Sequence, residues 1–190
     1  MSNNQRIRLS KQLLKDSLIK LLATKSIHKL SVKQICEDAQ VNRSTFYRYY
    51  GSQYDLLKDM EKDTLKQIRS YLEQETDVDD AGNIHQLTKI FIFFNENIEL
   101  IRILLSNNVD PGFPQKLVLS MENIPRLLSR QVHTKFRQEE FDYLFDFMVN
   151  GGFSFIRKWI NKELREAPEE VALMLNRILL KLLAPIEQCV

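Results

Sequence analysis

Between residues 43 and 50 the chain reads Arg-Ser-Thr-Phe-Tyr-Arg-Tyr-Tyr. Wound into a helix, this octet puts side chains four residues apart on shared rows, and three of those pairs stand out. Arg43 with Tyr47 and Ser44 with Arg48 present guanidinium, hydroxyl and phenol groups together. Such groups donate to phosphate oxygens, and a guanidinium fits the O6/N7 edge of guanine in a major groove. Phe46 with Tyr50 is aromatic at both ends and suits burial, with Ile35 and Leu18 as candidate partners. The chemistry on offer is polyanion recognition by a short helix. No competing chemistry stands out: there is no Ser/His/Asp order, no glycine-rich phosphate loop and no carboxylate pair, so catalysis and a cofactor are not expected. His85 and His133 have no neighbouring second ligand, so no metal is expected.

The elements that hold this octet are legible around it. Lys11 to Thr24 carries Leu14, Leu18, Leu21 and Leu22 at helical spacing, and Ile27 and Leu30 extend the apolar set. Ser31 followed by Gln34 is a capping box, so a second helix starts at Val32 with Val32, Ile35, Cys36 and Ala39 as its inner face. After a tight connection at Gln40-Val41, Asn42 caps a third helix through Tyr50, and Gly51 is suited to stop it in a left-handed conformation. Ser52 to Asp55 repeats the capping pattern and opens a fourth helix to about Glu75. A short helix, a three-residue turn and a second short helix have the dimensions of a helix-turn-helix, whose second helix enters a major groove.

Composition agrees. The chain has 190 residues with only 5 Gly and 5 Pro, too little turn punctuation for many short strands, so an all-α fold is expected. Residues 1–50 hold ten Lys/Arg against three Asp/Glu, a net +7, whereas the rest hold 17 against 22, a net −5. A basic head on an acidic body points the head at a polyanion, although a merely solvated basic face is an equal reading of charge alone. No apolar run reaches the ~18 residues of a membrane span. Met1 to Ser10 is polar and basic without an apolar core, and Cys36 and Cys189 lie far apart, so a reducing cytoplasm is expected.

Residues 8 to about 68 resemble the DNA-binding domain of the TetR family. That family's pattern has a long first helix, a Ser/Thr-capped second helix, a turn, and a helix of the form Ser/Asn-x-Gly/Ser-Thr-aromatic-Tyr-x-His/Tyr-Phe/Tyr. Ser31, Ile35, Ala39, Val41, Asn42, Ser44, Thr45, Phe46, Tyr47, Tyr49 and Tyr50 meet it, and Gly51, Ser52 and Leu56 fit the turn into the fourth helix. The resemblance implies double-stranded operator DNA as partner. It puts Tyr47 and Tyr49 on backbone phosphates, with Thr45 and the Asn42-capped helix start beside them. It also puts Arg43, Ser44 and Arg48 on base edges or phosphates, and Lys33 and Gln34 on the flanking backbone. The plainer alternatives are ordinary exposed tyrosines and a solvated Arg48. One departure stands out: the family usually has a phosphate-holding Lys where this chain has Gln53, which can hydrogen-bond but adds no charge. Lys29 or Lys33 can compensate.

The resemblance also implies two domains. Residues 8–68 would hold the helix-turn-helix (about 31–50), and residues 69–190 a helical effector-binding and dimerisation domain. In the latter, Glu75 to Asn83 and Asn107 to Pro114 read as loops, flanking a helix or a broken pair of helices with the break near Asn95 to Asn97. A further helix is expected over Gln115 to Val132. Two strong helices finish the chain. Phe141, Phe145, Met148, Gly152, Phe155 and Trp159 recur in the first, and Val171, Leu175, Ile178, Leu182 and Ile186 in the second, where Leu173, Met174, Leu179 and Leu183 add another stripe. Helices apolar on several faces need several partners, which supports a homodimer through 138–163 and 168–187. Phe91, Phe94, Phe113, Phe145 and Trp159, with Phe141 and Phe153, either line a pocket for a small apolar or amphipathic effector or fill the core, the commoner fate. The resulting expectation is a ligand-responsive repressor. The alternative is a co-regulator of the same fold acting through a protein partner.

Overall fold

The computed structural model describes residues 3–72, 80–106, 109, 112–120 and 137–183. Every regular element among them is helical. The chain divides into two compact units, Met1–Gln67 with Glu99–Phe113, and Ile68–Ile98 with Pro114–Val190. Residues 99–113, which the sequence assigns to the C-terminal part, cluster with the first unit.

The first unit opens with α1 (Asn3–Leu22), about two turns longer at its start than its apolar spacing indicates, followed by a 3-10 turn (Ile27–Lys29). Then come α2 (Val32–Asp38), α3 (Arg43–Tyr49) and α4 (Gln53–Leu72). Helix α1 packs on α2 and α2 on α3. Leu14, Leu18, Ile27, Ile35, Phe46 and Leu56 are fully buried and form the centre of this core. Polar groups inside it are satisfied: the Ser17 hydroxyl donates to the Ile35 carbonyl at 3.0 Å, and Thr64 donates back to Met60 at 2.9 Å. Later in the chain α6 (Ile98–Leu104) contributes buried Ile101, Ile103 and Leu104.

The second unit is built from α5 (Asp80–Glu96), α7 (Phe113–Ser120, counted from its second residue), α8 (Gln138–Ile160) and α9 (Pro168–Leu183). Helix α5 begins at Asp80, inside the stretch read from sequence as a loop, and ends at Glu96, within the expected break; the next residue, Asn97, donates its side-chain amide to the Phe93 carbonyl at 2.9 Å. Helix α7 likewise starts earlier than expected, with Pro114 in its first turn, where the missing N–H is not needed. The expected loop at 75–79, the helical stretch after Ser120 as far as Val132, Ile186 and Cys189 lie outside the described residues. Helix α9 packs mainly on α5 and also on α8. Phe141, Met148 and Leu183 form a cluster joined by Leu144, Phe145, Leu179 and Leu182. On α9 the inner face is Val171, Ala172, Leu175 and Leu183; Ile178, read from sequence as part of that stripe, is exposed with Leu173 and Met174. A helix apolar on two sides does not disclose by period which side its own chain will cover.

Candidate nucleic-acid interface

Both caps of the helix-turn-helix form as local chemistry demands. The Ser31 hydroxyl accepts from the Gln34 amide at 3.3 Å, and the Gln34 side chain accepts from the Ser31 amide at 3.0 Å. The Asn42 side chain accepts from the Ser44 amide at 3.0 Å and starts α3. Between the helices, the Val41 amide donates to Cys36 at 3.0 Å and the Gln40 amide to Glu37 at 3.3 Å. That pair of bonds is a Schellman closure, and it requires a left-handed residue, here Gln40 with φ 52°. Gly51 is not left-handed; the expectation for it is corrected. Instead α3 stops because Tyr50 turns to extended backbone (φ −138°, ψ 133°) after closing its last bond to Phe46 at 2.9 Å.

The three side-chain rows of α3 separate cleanly. Phe46 and Tyr50 are buried, 0 % and 5 % exposed, whereas Arg43, Ser44 and Arg48 are exposed and Tyr47 is 51 % exposed. Arg43 stands over the Tyr47 ring, 5.9 Å from its centroid. Thr45 and Tyr49 are half-buried, with Tyr49 edge-on to Tyr50 at 6.4 Å. Asn42 and Lys33 are exposed, and Lys33 lies 3.7 Å from Glu37 in a solvent-facing pair. Gln34 is half-buried and occupied in its capping box. The Gln53 side-chain amide donates to the Leu30 carbonyl at 3.1 Å, tying the start of α4 to the residue before the Ser31 cap of α2.

Charge follows the same division. Lys15, Lys20 and Lys33 are paired with carboxylates. Among the described residues, Arg6, Arg8, Lys11, Lys25, Lys29, Arg43 and Arg48 make no ion pair. Arg43 and Arg48, uncompensated on the same short helix as an exposed phenol and hydroxyl, offer what a phosphate backbone attracts.

Behind this face lies a polar network that the sequence did not single out. The Tyr50 hydroxyl donates to Asp59 at 2.9 Å, and Lys15 contacts Asp59 at 3.0 Å and Asp63 at 2.5 Å. Lys11 stands 5.3 Å from the Tyr50 ring centroid and 5.6 Å from that of Tyr49. Burial raises the Asp59 carboxyl, but the hydrogen bonds from Lys15 and Tyr50 outweigh it and hold the group below its ordinary value. Burial and the Asp59 carboxylate both push the Tyr50 phenol upward. The available signal was a matched spacing, Lys11/Lys15 on one helix and Asp59/Asp63 on another, each four apart.

The aromatic residues set aside as pocket candidates fall into groups. In the second unit Phe91 and Trp159 meet edge-on at 5.2 Å, with Phe94 6.2 Å and Phe155 6.5 Å from Phe91. The Trp159 indole donates to the Glu166 carbonyl at 3.1 Å. Phe145 stacks on Phe141 at 6.2 Å in the α8–α9 cluster, and Phe113 is buried in the first unit.

Two family models match the chain: "Bacterial regulatory proteins, tetR family" over residues 16–60 and "Transcriptional regulator C-terminal region" over residues 83–181. The chain belongs to the TetR family of transcriptional regulators. Solved TetR-family structures share its fold. A putative TetR-family regulator from Syntrophomonas wolfei is 20% identical, with 100% of each chain covered and a TM-score of 0.71. A TetR transcriptional regulator from Streptococcus agalactiae is 24% identical, covers 93% of this chain and 96% of its own, and has a TM-score of 0.66. The dihydroxyacetone kinase operon activator DhaS is 18% identical over 92% and 96%, with a TM-score of 0.60. No curated protein matches the chain. Among the described residues no helix is long and apolar enough to cross a membrane.

Proposed function

We propose that this TetR-family regulator is a ligand-responsive repressor that binds a near-palindromic operator as a homodimer. Residues 8–68 are the DNA-binding domain and residues 69–190 the effector-binding and dimerisation domain. The observation that carries the reading is the outward row of α3, where Arg43, Ser44, Tyr47 and Arg48 stand exposed and without ion-pair partners while Phe46 and Tyr50 anchor the helix from behind. Arg43, Ser44 and Arg48 reach base edges or phosphates. Tyr47, Tyr49, Thr45 and the capped start at Asn42 hold phosphates, and Lys33, Gln34 and Gln53 flank them.

Dimerisation through α8 and α9 is supported by their uncovered apolar side. Tyr143 is 79% and Phe147 64% exposed on α8, and Leu173, Met174 and Ile178 line one face of α9. Two heads related by a two-fold axis would then address successive major grooves about 34–36 Å apart. A small apolar or amphipathic ligand among the aromatic residues of the second unit, near Phe91, Phe94 and Trp159, would select a head spacing that misses the operator. Differential affinity for the two states supplies the coupling, commonly about 1–3 kcal/mol. Phe113 and Phe145, which belong to other clusters, are weaker candidates for that pocket.

Selection of bound sequences from random DNA, followed by footprinting at rising salt, tests the reading. A selected palindrome whose affinity falls steeply with salt is expected, since several phosphates are neutralised per dimer; a flat response overturns it. The second reading, a co-regulator acting through a protein partner in a cytoplasmic complex, has one observation in its favour. Gln53 stands in the family's lysine position and spends an amide hydrogen on Leu30. A protein-only partner enriches no DNA sequence.

A further inference from the structure

Helix α3 is seven residues long, too short to keep its shape or direction unaided. Phe46, fully buried, anchors it at mid-helix, and the buried Tyr50 ring holds its end. Apolar packing is less directional than a hydrogen bond and leaves a range of tilts about these anchors. Hydrogen bonds are directional, and those at the end of α3 converge on a single carboxylate. The Tyr50 hydroxyl reaches Asp59 of α4 at 2.9 Å, and Lys15 of α1 reaches the same Asp59 at 3.0 Å. Lys15 is itself only 16% exposed and also holds Asp63 at 2.5 Å, so the ammonium is not free to leave. Three helices therefore meet at one group, immediately behind the row of exposed cations.

We infer that Asp59 is a positioning residue for α3: through Tyr50 and Lys15 it sets the angle at which Arg43 and Tyr47 are offered to DNA. The inference rests on the operator-binding reading and goes beyond it, because none of Asp59, Lys15 or the Tyr50 hydroxyl touches DNA in that reading. A purely stabilising role would alter melting alone. A positioning role alters the ratio of specific to non-specific binding, since the cations available to any phosphate backbone stay the same while their registration with one sequence is lost.

The test uses full-length chains carrying Tyr50→Phe, Asp59→Asn, or both, with a DNA fragment selected by the unaltered protein and a scrambled duplex of equal length. Tyr50→Phe keeps the buried ring and removes only the hydroxyl. Loss of a hydrogen bond to a charged group is expected to weaken operator binding by about tenfold per head, with scrambled-duplex affinity and salt slope unchanged. Asp59→Asn should act in the same direction, and the double variant should be little worse than the poorer single one, because both break one network. Operator affinity within twofold of the unaltered protein in both single variants, with only the melting temperature lowered, overturns the inference. An unaltered protein that selects no DNA overturns the reading beneath it, and the inference with it.

Discussion

Replacing Arg43 with Ala removes a guanidinium that the fold holds in solvent at the first position of α3. Two opposing contributions to stability go with it. A cation at a helix N-terminus opposes the helix dipole and costs about 0.3–1 kcal/mol. Its place 5.9 Å over the Tyr47 ring returns about 0.5–1 kcal/mol at an exposed site. These nearly cancel, and Ala is also the better helix former. For a chain of this size 1 kcal/mol moves Tm by about 2–4 °C, so Arg43→Ala should melt within about 2 °C of the unaltered protein.

Binding should respond very differently. A bidentate guanidinium contact to guanine is worth about 1–3 kcal/mol of discrimination. With one from each head of a dimer, the loss is about 2–6 kcal/mol, from about thirtyfold to about 25,000-fold in affinity. If Arg43 holds a phosphate instead, affinity falls for all sequences alike and the salt slope shrinks by about 0.9 per head. Titrating a selected operator, its single-base variants and a scrambled duplex at several salt concentrations separates the two cases. Unchanged affinity for every duplex at every salt, with melting also unchanged, would refute the placement of Arg43 at the interface; a collapse in melting would show that its side chain is structural.

Gln40→Gly relieves a non-glycine residue at φ 52°, and a gain of up to about 1 kcal/mol is expected as a rise in Tm of about 2–4 °C, with operator binding retained. Gly151→Ala should raise the helicity of α8 by about 1 kcal/mol of propensity within one chain, because an added Cβ meets nothing within 4 Å there. Gly151 shares a row with exposed Tyr143 and Phe147, so sedimentation should nonetheless show weaker dimerisation if a second copy packs closely on that row. Asp59 has a carboxyl held below its ordinary value, so its stabilising effect is full above the unfolded value of about 3.9 and is lost as pH falls through the lower folded one. Melting followed downward from pH 6 should therefore drop less steeply in Asp59→Asn than in the unaltered chain.

What could be read from the chain alone divides by sequence separation. The Ser31–Gln34 box and the Asn42 cap close within four residues, so composition and spacing are enough to place them. The burial of Phe46 and Tyr50 and the exposure of Arg43 and Tyr47 follow from one helical period. The Tyr50–Asp59–Lys15 network depends instead on groups from three helices, with Lys15 and Asp63 48 residues apart, and no local pattern ranks one such pairing over another. Gln40 was hidden for a different reason. A left-handed position calls for glycine only when nothing else compensates the strain, and here two closing hydrogen bonds hold it, so Gly51 drew the expectation that belonged eleven residues earlier. Phe91, Phe141 and Phe113 look alike in sequence, and only packing sorts them into separate clusters.

Some side chains sit where folding a single chain gains nothing from them, and these carry the functional reading furthest. Arg43 opposes the dipole of its own helix, and seven cations of the first fifty residues repel one another without a paired carboxylate among the described residues. Tyr47 leaves half its surface in water, whereas its neighbours Phe46 and Tyr50 are buried. On α8, Tyr143 and Phe147 leave still more apolar surface uncovered. A bound polyanion would remove the repulsion of the first set, and a second copy of the chain, as proposed above, would cover the second set and double the first on one duplex. Binding of both partners would relieve both departures at once, as the proposed dimeric operator-binding reading requires.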